Sequence, residues 1–73
     1  MWEVVGFKFR DVNDRRYYDL YLQRECVSGV GLMCAHLNYG AAYISYVPQI
    51  GDRVMYSTRV YNGRTLVSEI VKY

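Results

Sequence analysis

The chain has 73 residues, 52% of them hydrophobic, with nine Lys+Arg against seven Asp+Glu for a formal net charge of +2. That length fits one domain, residues 1–73, and a chain so short buries only about 60% of its unfolded surface, so oligomerisation is a natural source of further stability. No apolar run approaches the roughly 20 residues of a membrane span, and the start MWEVVGFKFR lacks the charged-apolar-small pattern of a signal peptide, so a compact protein of the cytoplasm with no membrane contact is expected.

The first strand signal is Trp2 to Arg10. Val5, Phe7 and Phe9 alternate with Val4, Gly6, Lys8 and Arg10, which puts the aromatic set on one face and the basic set on the other. Gly6 interrupts the second set and marks a bulge or bend of the kind small barrels need. Residues 11–15, DVNDR, read as a polar turn. The second strand, Arg16 to Gln23, follows as RYYDLYLQ. A five-residue loop sets Arg10 opposite Arg16 and Lys8 opposite Tyr18, a like-charge pairing that an intervening anion would relieve.

Ser28-Gly29 reads as the next turn, and residues 31–37 as a third strand, short or irregular. NYGAAYISYV, residues 38–47, has room for one turn of helix at Ala41–Ile44. Pro48 to Asp52 is a turn in which Gly51 takes positive φ and launches the fourth strand, Arg53 to Tyr61. Asn62-Gly63 is the strongest short hairpin signal, a type I′ turn leading into the fifth strand, Arg64 to Lys72. The turn sets a register: Tyr61/Arg64, Arg59/Leu66, Ser57/Ser68, Met55/Ile70 and Arg53/Lys72 on the outer face. Val60/Thr65, Thr58/Val67, Tyr56/Glu69 and Val54/Val71 form the inner face. A slip of one residue would exchange the two faces.

Five strands and no helical periodicity predict an all-β fold, a small five-stranded antiparallel barrel. The oligonucleotide-binding (OB-like) barrel is the first expectation and the SH3-like barrel the alternative.

The residues that carry chemistry are few. Cys26 and Cys34 form no CxxC pair and have only His36 nearby, too little for a zinc site. Two free, partly buried thiols in a reducing compartment are expected, with a disulfide as the alternative. Cys34 and His36 share a strand face, but no Asp lies close in sequence to orient the ring for a nucleophilic pair. Asp11 and Asp14 flank a turn and are too few for a calcium loop. The glycines follow no phosphate-loop spacing. No enzyme, metal or cofactor is expected.

What stands out is a run of cations interleaved with rings. Seven of the nine cations are arginine and nine residues are tyrosine. Lys8, Arg10, Arg16, Tyr17 and Tyr18 crowd the first hairpin, and Arg53, Arg59, Tyr61 and Arg64 the last. Guanidinium forks suit phosphates, and exposed rings stack on unpaired bases at about 1–3 kcal/mol per base. Duplex reading would favour a helix or ribbon fitted to a groove, and no helix is on offer. The competing explanation is structural: basic hairpin tips and edge strands resist aggregation.

The segments VGFKFRDVNDRRYYDLYL and VPQIGDRVMYSTRVYNGRTLVSEIV resemble small proteins of mobile elements in Gram-positive bacteria. More loosely, they resemble the helix-destabilising proteins of filamentous phages. The resemblance implies a dimeric five-stranded barrel whose β-ribbons coat single-stranded DNA. It makes single-stranded DNA, with RNA as the variant, the expected partner, and a phage or plasmid the expected setting. An SH3-like interaction module, or a small inhibitor of a host protein, is the second expectation. Its patch would use the exposed tyrosines with Met55, Leu66 and Ile70.

Overall fold

The computed structural model describes residues 1–73. Five strands follow one another: β1 (Trp2–Val12), β2 (Arg15–Glu25), β3 (Leu32–Gly40), β4 (Arg53–Tyr61) and β5 (Arg64–Lys72). They form one antiparallel sheet of order β3-β2-β1-β4-β5. No helix is long and apolar enough to cross a membrane. The first three strands make a meander, and the β4–β5 hairpin joins it through β1. The join is short: Trp2 pairs with Val54 and Glu3 with Arg53. Beside it, Val4 N donates to Asp52 O at 2.8 Å and Gly51 N to Val4 O at 2.9 Å. Gly51 holds φ at 91°, as its place before the strand predicts. The outermost strands β3 and β5 share no ladder, but Leu37 and Asn38 face Leu66 and Val67 across a groove. The result is the partly open small barrel that the sequence suggests.

Burial follows the period of two where the strands wrap the core. Trp2 and Val4 on β1, Tyr18, Leu20 and Leu22 on β2, Leu37 and Tyr39 on β3 and Val54 on β4 are buried together with Ile44. Full burial of an aliphatic side chain contributes about 1.5–3 kcal/mol, so Val4, Leu20 and Val54, which are wholly enclosed, anchor the barrel. The ladder slips between Val4 and Gly6. This bulge is the break that Gly6 signals, but it divides the hydrophobic set differently from a strict alternation. Val4 faces inward before it, Val5 is the extra residue and is exposed, and Phe7 and Phe9 face inward after it, opposite Leu20 and Tyr18.

The β1–β2 and β4–β5 turns each have two residues with positive φ. Asn62 and Gly63 lie at 50° and 74°, giving the expected I′ geometry. Asn13 and Asp14 lie at 51° and 64°, so the first turn is also two residues long, not five. The register is therefore one residue away from the sequence-based expectation. Arg16 faces Asp11, Arg10 faces Tyr17 and Lys8 faces Asp19. Opposite charges meet where like charges were expected.

Two further expectations change and one is met. β3 pairs with β2 regularly from Leu32 to Gly40 and is not a short strand over 31–37. Ala41–Ile44 forms the single turn the sequence has room for, not a longer helix. The turn is closed by Ile44 N to Gly40 O at 3.2 Å and drops Ile44 into the core. On β5 a bulge at Ser68 shifts the ladder after Thr58/Val67, so Ser57 faces Glu69, Tyr56 faces Ile70, Met55 faces Val71 and Val54 faces Lys72. Ile70 thus packs on the core and is not part of the outer face.

Candidate nucleic-acid interface

Strand alternation sends a second set of side chains outward. On β1 these are Lys8 and Arg10, on β2 Tyr17, Asp19 and Tyr21, and on β3 Cys34, His36 and Asn38. On the β4–β5 hairpin they are Arg59, Tyr61, Arg64 and Leu66. Curvature of the sheet brings parts of the two hairpins together. Tyr17 of β2 and Arg59 of β4 line one groove of about 500 Å³ with Asn38, Tyr43 and Leu66. The Arg10 guanidinium lies 6.0 Å from the centre of the Tyr17 ring, close enough for a weak cation–π contact. Rings and cations from separate ribbons therefore share one stretch of surface.

Gly40 makes room for this arrangement. It pairs with Tyr17, and a Cβ at this position would sit 3.3 Å from the Tyr43 ring and 3.4 Å from the Tyr17 ring. A side chain here would push one of the rings out of place.

Beyond the groove, Tyr61 and Arg64 face each other at the hairpin tip, both exposed. No carboxylate lies within salt-bridge distance of Arg59 or Arg64. These cations keep their charge available. Arg16 is the opposite case. Its Nε donates to Asp11 Oδ1 at 2.8 Å and its Nη2 to Oδ2 at 3.1 Å, the bidentate geometry that guanidinium favours. The same guanidinium covers the Phe9 ring at 4.0 Å. Hydrogen bonding to Arg16 holds the Asp11 carboxyl below the usual carboxylate range. Arg16 is thus internally neutralised, and the phosphate between Arg10 and Arg16 that the sequence suggests has no place in this register.

Tyr18 needs a stronger correction. It is 5% exposed and stacks on Tyr39, with ring centroids 5.4 Å apart. Its ring belongs to the core and is not available to a base. Arg53 is exposed but sits at the Glu3 end of β4, beside Arg24 and Glu25. Six residues of strand separate it from Arg59, about 20 Å, so it does not join the groove. Lys8 is on the outer face, opposite Asp19. Of the nine residues singled out from the sequence, Arg10, Tyr17, Arg59, Tyr61 and Arg64 make up the groove and the adjoining tip.

Sequence reasoning missed a cluster in the middle of the outer wall. The Tyr21 and His36 rings stack at 5.0 Å with only 19° between their planes. His36 Nε2 lies 2.9 Å from Asp19 Oδ1, and Asn38 donates to the same oxygen at 3.1 Å and to Tyr18 O at 3.3 Å. Hydrogen bonds from His36 and then Asn38 hold the Asp19 carboxyl below its ordinary value. The carboxylate that orients His36 thus comes from the neighbouring strand, 17 positions away, although none stands near it in sequence. The available signal was the alternation Tyr17-Asp19-Tyr21, which places all three on one face of β2. Cys34 lies on the same outer face and is exposed, Cys26 is half-buried at the start of the β2–β3 loop, and both are free thiols.

At the groove's edge, Tyr39 donates to Tyr46 O at 2.9 Å, and Tyr46 donates to Asp52 Oδ2 at 2.6 Å. Burial pushes both phenols above their ordinary pKa. The relay ties the loop after β3 to the start of β4, and so fixes the wall on which Tyr43 stands. Compared with known proteins, the chain matches no protein-family model, no curated protein and no solved structure.

Proposed function

We propose that this chain is a non-enzymatic single-stranded nucleic-acid-binding protein, with DNA the first ligand to test, acting as a homodimer in the cytoplasm for a phage, plasmid or other mobile element. The observation that carries the reading is the groove where Tyr17 and Arg59, from different hairpins, lie together, with Arg10 against the Tyr17 ring. Arg10, Arg59 and Arg64 would track phosphates, and Tyr17 and Tyr61 would stack on bases. The stacked Tyr21–His36 pair on the same wall offers a further flat surface. No helix is present to enter a major groove, so a duplex reader would have to use a two-stranded ribbon such as β4–β5, and the comparison of single- and double-stranded oligonucleotides decides between the two forms. The setting in a mobile element rests on the sequence resemblance alone.

Fluorescence anisotropy with labelled single- and double-stranded oligonucleotides at two ionic strengths tests the proposal. Single strands are expected to bind more tightly, with a log–log salt slope of about −0.7 for each phosphate neutralised. Equal binding to both forms, or none to either, rejects it.

A protein-interaction module is the second reading, favoured by the half-exposed Met55 and Leu66 on the outer face of the β4–β5 hairpin. Pulldown from nuclease-treated lysate separates the two. Partners that survive nuclease favour protein interaction, and partners that vanish favour nucleic acid.

A further inference from the structure

The chain exposes 5521 Å², whereas a compact folded monomer of this size exposes about 4,700 Å². The surplus of about 800 Å² is the share one partner contributes to a standard protein interface. The radius of gyration agrees: 12.9 Å against about 11 Å for a compact domain of this length. The extra surface has an identifiable source. β1 and β4 pair only at Trp2/Val54 and Glu3/Arg53 and then part company. Past that point β4 has an open edge from Met55 to Tyr61, and β1 has one from Gly6 to Val12. The two edges leave the join in opposite directions, and inward-facing Val60, near the far end of the β4 edge, is 73% exposed.

We infer that the open edge of β4 is a homodimer interface, in which β4 of one copy pairs antiparallel with β4 of a second across a twofold axis at Thr58. A twofold perpendicular to the sheet keeps inner faces with inner faces. With Thr58 opposite Thr58, Ser57 faces Arg59, Tyr56 faces Val60 and Met55 faces Tyr61 of the second copy. No like charges meet. The exposed Val60 gains an aromatic neighbour, and opposed threonines are a favourable cross-strand pair. The open edge of β1 is a poorer match for itself. A twofold at Lys8, Phe9 or Arg10 sets Lys8 against Lys8, Lys8 against Arg10 or Arg10 against Arg10. The outer edges of β3 and β5 already face each other across their own groove.

The backbone is prepared for such pairing. Tyr61 and Arg64 flank the two-residue turn as a hydrogen-bonded pair, so Val60 and Thr58 aim their N–H and C=O groups at the open edge. The dimer would align Arg59 and Tyr61 of both copies on one outer surface. This inference names the surface for the homodimer in the proposed function. It does not depend on nucleic acid, and its test contains none.

Sedimentation velocity at roughly 100 μM decides it. The unaltered chain is expected to be a dimer, and a monomer overturns the inference. Thr58→Lys and Thr58→Glu each place like charges on the axis and are expected to weaken dimerisation at least tenfold while circular dichroism stays unchanged. Mixing the two variants is expected to restore a dimer, now mixed. Dimers that persist in both single variants, or a mixture that stays monomeric, overturn it. Should either variant fail to fold, Thr58→Cys in a Cys26→Ser/Cys34→Ser background replaces it. Antiparallel partners on an axis lie within disulfide reach, so diamide is expected to link two chains, and absence of the link overturns the interface.

Discussion

The two hairpin tips are built alike and behave differently. Each turns on two residues with positive φ, Asn13-Asp14 and Asn62-Gly63, and each carries arginine just past the turn. At the first tip, Arg16 meets Asp11 across the ladder and is saturated by it while covering Phe9. At the second, Arg64 meets Tyr61, and Arg59 meets Leu66. The first tip has committed Arg16 to holding itself together and keeps only Arg15, opposite Val12, and Arg10 beside Tyr17 without a carboxylate partner, whereas at the second neither arginine is paired with a carboxylate. Counting cations in sequence treats these tips as equals. Cross-strand partners decide which cations remain available, and partners depend on register.

That contrast can be broken or sharpened by substitution. The largest effect is expected in the core beneath the first hairpin. Tyr18→Ala removes a buried ring stacked on Tyr39, and losing a buried aromatic costs about 3–5 kcal/mol. Urea denaturation should show most of the stability gone, and near-unchanged stability would put Tyr18 back on the surface. Next is Tyr61→Ala at the second tip. It should leave the urea midpoint in place and weaken oligonucleotide binding by about 1–3 kcal/mol, the worth of one stacked base. Gly40→Val should act between these regions by displacing Tyr17 or Tyr43, and should reduce binding with only a modest loss of stability. A variant that binds as well as the parent removes the groove from the account.

The smallest expected effect concerns pH at the first tip. Asp11 and Asp19 are both held below ordinary carboxylate values by partners that exist only in the folded state. Their contribution is fully present above the unfolded carboxylate pKa of about 4 and is lost as pH falls through the lower folded values. Urea midpoints measured from pH 6 down to 2 should decline, and Asp11→Asn should flatten part of that decline. The same variant releases Arg16, so it should bind oligonucleotide slightly better at neutral pH. If binding falls instead, Asp11 has a role beyond restraining Arg16.

Much of the fold was legible because local signals and long-range pairing agree. Asn62-Gly63 specified its turn, and Tyr61/Arg64, Val60/Thr65, Arg59/Leu66 and Thr58/Val67 pair as that turn dictates. The agreement ends at Ser68, where a bulge that no glycine announces sends Ile70 inward. Gly6 did announce its bulge, though not that Val4 and Phe7 would consequently share a face. The first turn misled because Asn13 and Asp14, neither of them glycine, both adopt positive φ. That shortens the loop and moves the register by one. One residue of register separates an Arg16 awaiting phosphate from an Arg16 bound to Asp11. β3 was underestimated because Asn38 and Gly40 are turn-type residues in the segment 38–47, whereas pairing with β2 carries the strand through to Gly40.

For the candidate site, sequence was sound on residue type and poor on neighbours. It named Tyr17 and Arg59 without a reason to place them together. They meet because the β4–β5 hairpin curls toward β3, a property of the whole sheet that no local window contains. Tyr21, His36 and Asp19 escaped notice for the same reason, since their association is made by the pairing of β2 with β3.

The most direct measurement compares the salt dependence of single-stranded DNA binding for the parent chain, Arg59→Ala/Arg64→Ala and Arg16→Ala. If the second tip supplies the phosphate contacts, the double variant should lose about 1.4 from the magnitude of the log–log slope, two contacts at 0.7 each, while Arg16→Ala leaves the slope unchanged. An unchanged slope in the double variant, or a slope that falls only when Arg16 is removed, would contradict the account.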